Sequence, residues 1–183
     1  AETDVLSEEF SPIVTASENF KSALLYADTI AETNLPVLIL GETGTGKDLV
    51  AKAIHDRSRR KGRFVAANIA GLDDQLFSDT LFGHVAGSFT GASTNRDGLI
   101  ESAKGGTLFL DEIGDLGPQG QVKLLRLLEN GEYFPLGSDT AKTCDARIVV
   151  ATLQNIDKLV AENKVRKDLY FRLEAHQVEI PPL

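Results

Sequence analysis

LPVLILGETGTGK, residues 35–47, joins four consecutive aliphatic side chains, Val37 to Leu40, to a turn rich in glycine. A short unbroken apolar run reads as a strand buried on both faces, the habit of parallel sheets. The glycines let successive backbone N–H groups turn inward on a phosphate, and a helix starting there adds its positive end. Gly41, Gly46 and Lys47 have the spacing of the P-loop pattern, between strand and helix where the pattern must sit. Lys47 would reach the β- and γ-phosphates as a point charge. Gly41, Glu42, Thr43, Gly44, Thr45, Gly46, Lys47 and Asp48 are therefore read as the segment that binds a nucleotide's phosphates.

Outward from this segment the same alternation recurs. RFVAAN (63–68), GTLFLDE (106–112), ARIVVAT (146–152) and AHQVEI (175–180) read as strands. Helical patterns cover 18–32, 48–58, 119–131 and 155–164, the third with Val122, Leu125 and Leu128 as its apolar stripe and Gly131 as its stop. Strands alternating with helices predict an α/β fold around a five-stranded parallel sheet. No internal repeat or low-complexity tract interrupts it.

The composition sets limits. Hydrophobic residues make up 42% and charged residues 25% of 183 residues, ordinary values for one globular domain with its own core. The net charge of -8 disfavours nucleic acid, whose phosphates need a basic face. The one basic cluster, RSRRK (57–61), reads as a solvated helix end. The single cysteine, Cys144, allows no internal disulfide, and no apolar run approaches a membrane span. A soluble cytoplasmic chain is expected. The start at Ala1 and the lack of any Met point to a piece of a longer protein.

A second acidic element complements the P-loop. Leu108, Phe109 and Leu110 form a strand, and Asp111 and Glu112 emerge at its carboxyl end, where α/β sheets bind ligands. Asp111 would hold Mg²⁺, and Glu112 would polarise an attacking water. Asp48 stands where a P-loop usually has a Ser or Thr hydroxyl for Mg²⁺, so it either damages the site or belongs to a variant built around it. GSFTGA (87–92) fits neither a helix stripe nor an alternating strand; its residues leave open a mobile tip that lifts Phe89 into view and an ordinary turn whose Phe folds back onto the core.

GETGTGKDLVAKAIH (41–55), GSFTGA, GGTLFLDEIGDL (105–116) and RKDLYFRL…IPPL (166–183) occur in this order. Together they resemble the AAA+ domain of sigma-54-dependent transcriptional activators, the bacterial enhancer-binding proteins. The likeness covers residues 12–183, leaving 1–11 as a linker. It implies a P-loop NTPase αβα sandwich that binds and hydrolyses ATP with Mg²⁺, and an acidic residue after the P-loop Lys is usual there. It implies that Gly87, Ser88, Phe89, Thr90, Gly91 and Ala92 contact sigma-54 in RNA polymerase, with Phe89 as exposed anchor. Asn68 resembles the switch residue that pairs with Glu112. Arg166 and Arg172 resemble arginine fingers given to a neighbouring subunit in a ring of six or seven. If both lie on one helix they stand about 120° apart.

Three positions depart from the family pattern. Leu153 replaces the sensor I Asn, Val85 and Ala86 replace a frequent Glu-Lys pair, and Pro135 replaces an Arg, which leaves Glu101 without its guanidinium. The family's α-helical lid would follow Leu183 and is expected to be missing from this stretch, as is its DNA-binding domain. Two other readings stay open: a AAA+ motor acting on a different protein, and a nucleotide-gated interaction module with little turnover.

Overall fold

The computed structural model describes residues 5–182. Residues 1–4 and 183, the outer ends of the expected linker and subdomain, lie outside it. In chain order the strands are β1 (Val37–Leu40), β2 (Phe64–Asn68), the short β3 (Gly83–His84) and β4 (Arg96–Asp97), β5 (Thr107–Asp111), the short β6 (Glu132–Tyr133) and β7 (Lys142–Thr143), β8 (Arg147–Thr152) and β9 (His176–Glu179). The five longer strands form one parallel sheet in the order β2-β5-β8-β1-β9. Antiparallel ribbons β3–β4 and β6–β7 stand apart from it. The expected α/β sandwich with five parallel strands is present.

Alternation along the strands builds the two apolar layers. Val37, Ile39, Phe109, Val149 and Ala151 pack against helices α1 (Glu18–Ile30) and α2 (Lys47–Ser58). Leu38, Leu108, Leu110, Ile148 and Val150 face the other side. There they meet α3 (Asp74–Phe82), the single turn α4 (Leu99–Ser102), α5 (Pro118–Asn130), α6 (Ile156–Ala161) and α7 (Lys167–Leu173). The sheet is thus covered on both faces, as continuous apolar strands require.

Several expectations need correction. The buried face of α5 is Gln121, Leu124, Leu127 and Leu128, while Val122 is 46% exposed. Six residues turn a helix through 600°, so Val122 and Leu128 point about 120° apart and cannot share a stripe. Helix α3 has no counterpart in the sequence reading. It starts on Asp73, whose carboxylate accepts from Leu76 N at 2.7 Å. Residues 7–10 are part of the domain rather than linker: Phe10 is fully buried between α1 and α2, and Ser7 N donates to Asp28 Oδ2.

The basic cluster is likewise not a free helix end. Arg57 bonds Asp28 and Glu32, and Arg60 donates to Gly106 O, Asn34 Oδ1 and Asp145 O. Arg147, read only as part of the strand 146–152, is buried at 2% exposure. Its guanidinium donates to the carbonyls of Ile30 and Ala31 at the end of α1, and to Leu35 O. The Ile30 and Ala31 carbonyls lie at a helix C-terminus, where a cation is favoured. Burial, then Arg60, lowers its pKa to about 10.

Candidate nucleotide site

The segment after β1 folds as its glycines require. Gly44 and Gly46 have φ of 78° and 89°, left-handed values that a Cβ would strain. Gly41 is needed for space, since a Cβ there would lie 2.9 Å from Thr45 Oγ1. Thr45 Oγ1 donates to Glu42 O at 2.6 Å and holds the turn. Lys47 is buried; its Nζ donates to Gly41 O and Glu42 O at 2.8 and 2.9 Å. Helix α2 begins with Gly46 as N-cap and no side-chain cap, so its first amides remain available for an anion.

These residues face the carboxyl ends of β2, β5 and β8 across a cavity of about 330 Å³. It is lined by Thr43, Gly44, Gly46, Lys47, Asp48, Asn68, Ala70, Asp111, Glu112, Asp115, Leu153 and Gln154. Asp111 stands in register with Asn68 on β2 and Ala151 on β8. Its Oδ1 accepts from Glu112 N at 2.9 Å. Glu112 has φ 63°, uncommon for a residue with a side chain and typical of strained positions at functional sites. Burial and then Asp111 push its carboxyl up from the usual range, against smaller downward pulls from the Leu153 amide and Lys47.

Asn68 lines the cavity, yet its Oδ1 turns back to the Ala70 amide at 2.9 Å. No hydrogen bond joins it to Glu112 among the described residues. Leu153 follows β8 and is 51% exposed on the cavity wall, so it is not core. Gln154 lines the same wall, with Nε2 on Asp115 Oδ1 at 2.8 Å. Asn155 is committed elsewhere, capping α6 through Lys158 N.

The two arginines stand outside this cavity. Arg166 grips Asp168 with Nε and Nη2 at 3.0 and 2.8 Å, and lines a separate depression with Pro118, Gln119, Val122 and Lys123. It is the N-cap of α7, with extended backbone (φ -64°, ψ 136°), so the helical angle expected between Arg166 and Arg172 does not apply. Arg172 Nη2 donates to Leu128 O at 3.2 Å.

The 87–92 loop rises from ribbon β3–β4. Gly87 and Gly91 have φ of 82° and 95°, and Gly87 N donates to Ala92 O at 2.7 Å. Thr90 is exposed and Ala92 buried. Phe89 is not the exposed anchor expected: it is half-buried, edge-on to His84 with ring centres 4.9 Å apart. An apolar ring without a partner lies down on the nearest apolar surface. Glu101 is also corrected. In place of the missing Arg it accepts from Tyr133 Oη and pairs with Lys142 Nζ at 3.6 Å.

The profile of the Sigma-54 interaction domain matches residues 13–179. The chain belongs to that family. It is 44% identical over 173 residues to the DNA-binding transcriptional regulator NtrC of Bradyrhizobium sp. (strain RP501 Parasponia), covering 94% of this chain and 36% of the relative. It is 45% identical over 172 residues to the nitric oxide reductase transcription regulator NorR2 of Cupriavidus necator, covering 93% and 33%. The crystal structure of NtrX from Brucella abortus in complex with ATP superposes with a TM-score of 0.79 at 33% identity, over 93% of this chain and 38% of that one. This sigma-54 interaction domain thus spans about a third of the length of its curated relatives. Among its described residues no helix is long and apolar enough to cross a membrane.

What motif reading missed in this domain is Asp115, which lines the cavity and accepts from Gln154 Nε2, and the buried role of Arg147. The available signal for Asp115 was a third carboxylate four residues after Asp111. Arg147 opens an apolar strand, where a charge calls for a buried partner.

Proposed function

We propose that this domain is the nucleotide-driven part of a sigma-54-dependent transcription activator, hydrolysing Mg-ATP and remodelling the RNA polymerase closed complex through its 87–92 loop. One juxtaposition carries the reading: the uncapped start of α2 and Lys47 share a cavity with Asp111 and the up-shifted Glu112. The α2 amides and Lys47 suit the phosphates, Lys47 exchanging two carbonyl partners for phosphate oxygens. Mg²⁺ prefers one or two carboxylates plus the substrate's phosphates and water, and Asp111, on the cavity wall at the end of β5, would be the protein's share.

Glu112 orients water toward the γ-phosphorus and takes its proton as the bond to the β-phosphate oxygen breaks, leaving ADP and phosphate. Asn68, in register with Asp111 and on the same cavity wall, would hold Glu112 off that water once it releases Ala70. Neither Arg166 nor Arg172 lines this cavity, and in this reading a second copy in a ring supplies the guanidinium that offsets developing charge. Its release from Asp168 is part of assembly.

A second reading, nucleotide binding with little turnover, is favoured by Leu153, whose side chain offers the cavity no hydrogen bond. Phosphate release by the intact protein separates the two. The partner is tested with Phe89→Ala or Thr90→Ala, which should abolish sigma-54 binding while changing ATP turnover by less than about threefold. A loop variant that still drives open-complex formation rules out the contact.

A further inference from the structure

Asp79 lies on α3, away from the nucleotide cavity, and is 8% exposed. Its Oδ1 accepts from His84 Nδ1, and its Oδ2 accepts from Arg96 Nη1 at 3.0 Å. His84 and Arg96 face each other directly across β3–β4, one on each limb of the 87–92 loop. One carboxylate therefore ties both limbs to a helix. A carboxylate only accepts, so Nδ1 carries the hydrogen and the orientation of the imidazole is fixed. That ring is the surface on which Phe89 rests edge-on.

The base has little freedom besides. A Cβ on Gly83 would sit 2.1 Å from Arg96 O, and Ala86 N donates to Asn95 Oδ1 at 2.8 Å. The tip is held differently. Its two glycines occupy left-handed conformations in open space, and the buried Ser88 Oγ has no hydrogen-bond partner among the described residues. A buried hydroxyl without a partner favours any conformation that returns it to water. The tip leaves its seat more readily than the limbs leave theirs.

We infer that Asp79 is the positioning residue of this loop: it fixes the two limbs and, through His84, seats Phe89, so that the tip swings on a rigid base. The link to sigma-54 rests on the function proposed above, whereas the seating itself is read without sigma-54. In the intact protein, amide hydrogen exchange over residues 85–93 is compared between wild type and Asp79→Ala. Exchange there should rise by about tenfold or more, as expected for losing hydrogen bonds to a charge. Exchange in α2 and β5 should be unchanged, and ATP turnover should stay within about twofold. Sigma-54 co-migration, assayed with ADP and aluminium fluoride, should be lost, and Asp79→Glu should recover part of both losses.

Arg96→Gln cuts one limb at a half-exposed side chain and should give a smaller rise. Wild-type exchange at 85–93 in folded Asp79→Ala overturns the inference. If Asp79→Ala does not fold, unchanged exchange in Arg96→Gln overturns it instead. If wild type binds no sigma-54 while exchange rises as stated, the client was misassigned and the role of Asp79 stands.

Discussion

Replacing Leu153 with Asn should speed ATP hydrolysis in the assembled, intact protein. Leu153 is half exposed on the wall of the cavity that also holds Lys47, Asp111 and Glu112. Little packing is lost by the change: at about 25 cal/mol per Å², a half-buried Leu contributes on the order of 1 kcal/mol. What would be gained is a donor on the wall of the proposed phosphate cavity. A hydrogen bond to a charged group is worth roughly 1.5–3 kcal/mol, or about ten- to a hundredfold in rate if it forms chiefly in the transition state. Gln154 is the one neighbour able to mask this, but its amide is held by Asp115. The assay is steady-state phosphate release, with ATP affinity measured in parallel and Gln154→Ala as control. No gain in Leu153→Asn, with Gln154→Ala also at wild-type rate, refutes the idea that the wall lacks a phosphate sensor. A large loss in Gln154→Ala shows instead that Gln154 already senses the phosphate.

Lys47→Ala should weaken ATP binding by at least about tenfold, since it removes the one side-chain cation on the cavity wall; unchanged affinity by calorimetry refutes the P-loop assignment. Glu112→Gln should keep binding and lose turnover by roughly a hundredfold or more. Because burial and Asp111 raise the Glu112 pKa, and the base must be ionised, wild-type turnover should fall on acidification already above the usual carboxylate range. An acid limb at ordinary glutamate values counts against that role. His55 is buried beside Thr107, and burial followed by Lys52 lowers its pKa below 6.5. The unfolded chain then binds its proton first, so this contribution to stability is whole above pH 6.5 and is lost as pH falls toward the folded pKa. Burial and Arg147 shift His176 the same way. The thermal midpoint should drop from pH 7 to 5, less steeply in His55→Gln, and an equal slope in both refutes the assignment to His55.

The sheet was legible because its strands are continuous apolar runs, a signal set by burial on both faces alone. The P-loop was legible because left-handed turns and close backbone approaches demand glycine at fixed spacing. Helix α3 was not, since Asp74–Phe82 is short and its apolar residues are interrupted by polar ones that also turn inward, Ser78 and Asp79. Residues 7–10 carry one buried anchor, Phe10, and a single apolar residue has no period to read. The conformation of the 87–92 loop was misjudged for a related reason. Its sequence shows what the tip can do, whereas where Phe89 rests depends on His84, which Asp79 orients from another element.

Glu101 shows why a departure from a family pattern is a poor guide to a broken interaction. With Pro135 in place of Arg, motif reasoning leaves that carboxylate alone. A partly buried carboxylate without a partner is costly, so packing that brings any donor within reach is favoured over packing that does not. Here the β6–β7 ribbon supplies both, Tyr133 from one strand and Lys142 from the strand paired with it in register. Burial and the neighbouring carboxylate raise the Tyr133 pKa, which keeps its hydroxyl a donor throughout the physiological range. The same ribbon continues to Leu136, whose carbonyl accepts from Val85 N at the foot of the 87–92 loop. Helix α4, the ribbon and the loop are therefore mechanically joined through Glu101 even though the guanidinium is missing. What the substitution at 135 changes is the chemistry of that joint, from a fork of fixed geometry to a phenol and a flexible ammonium.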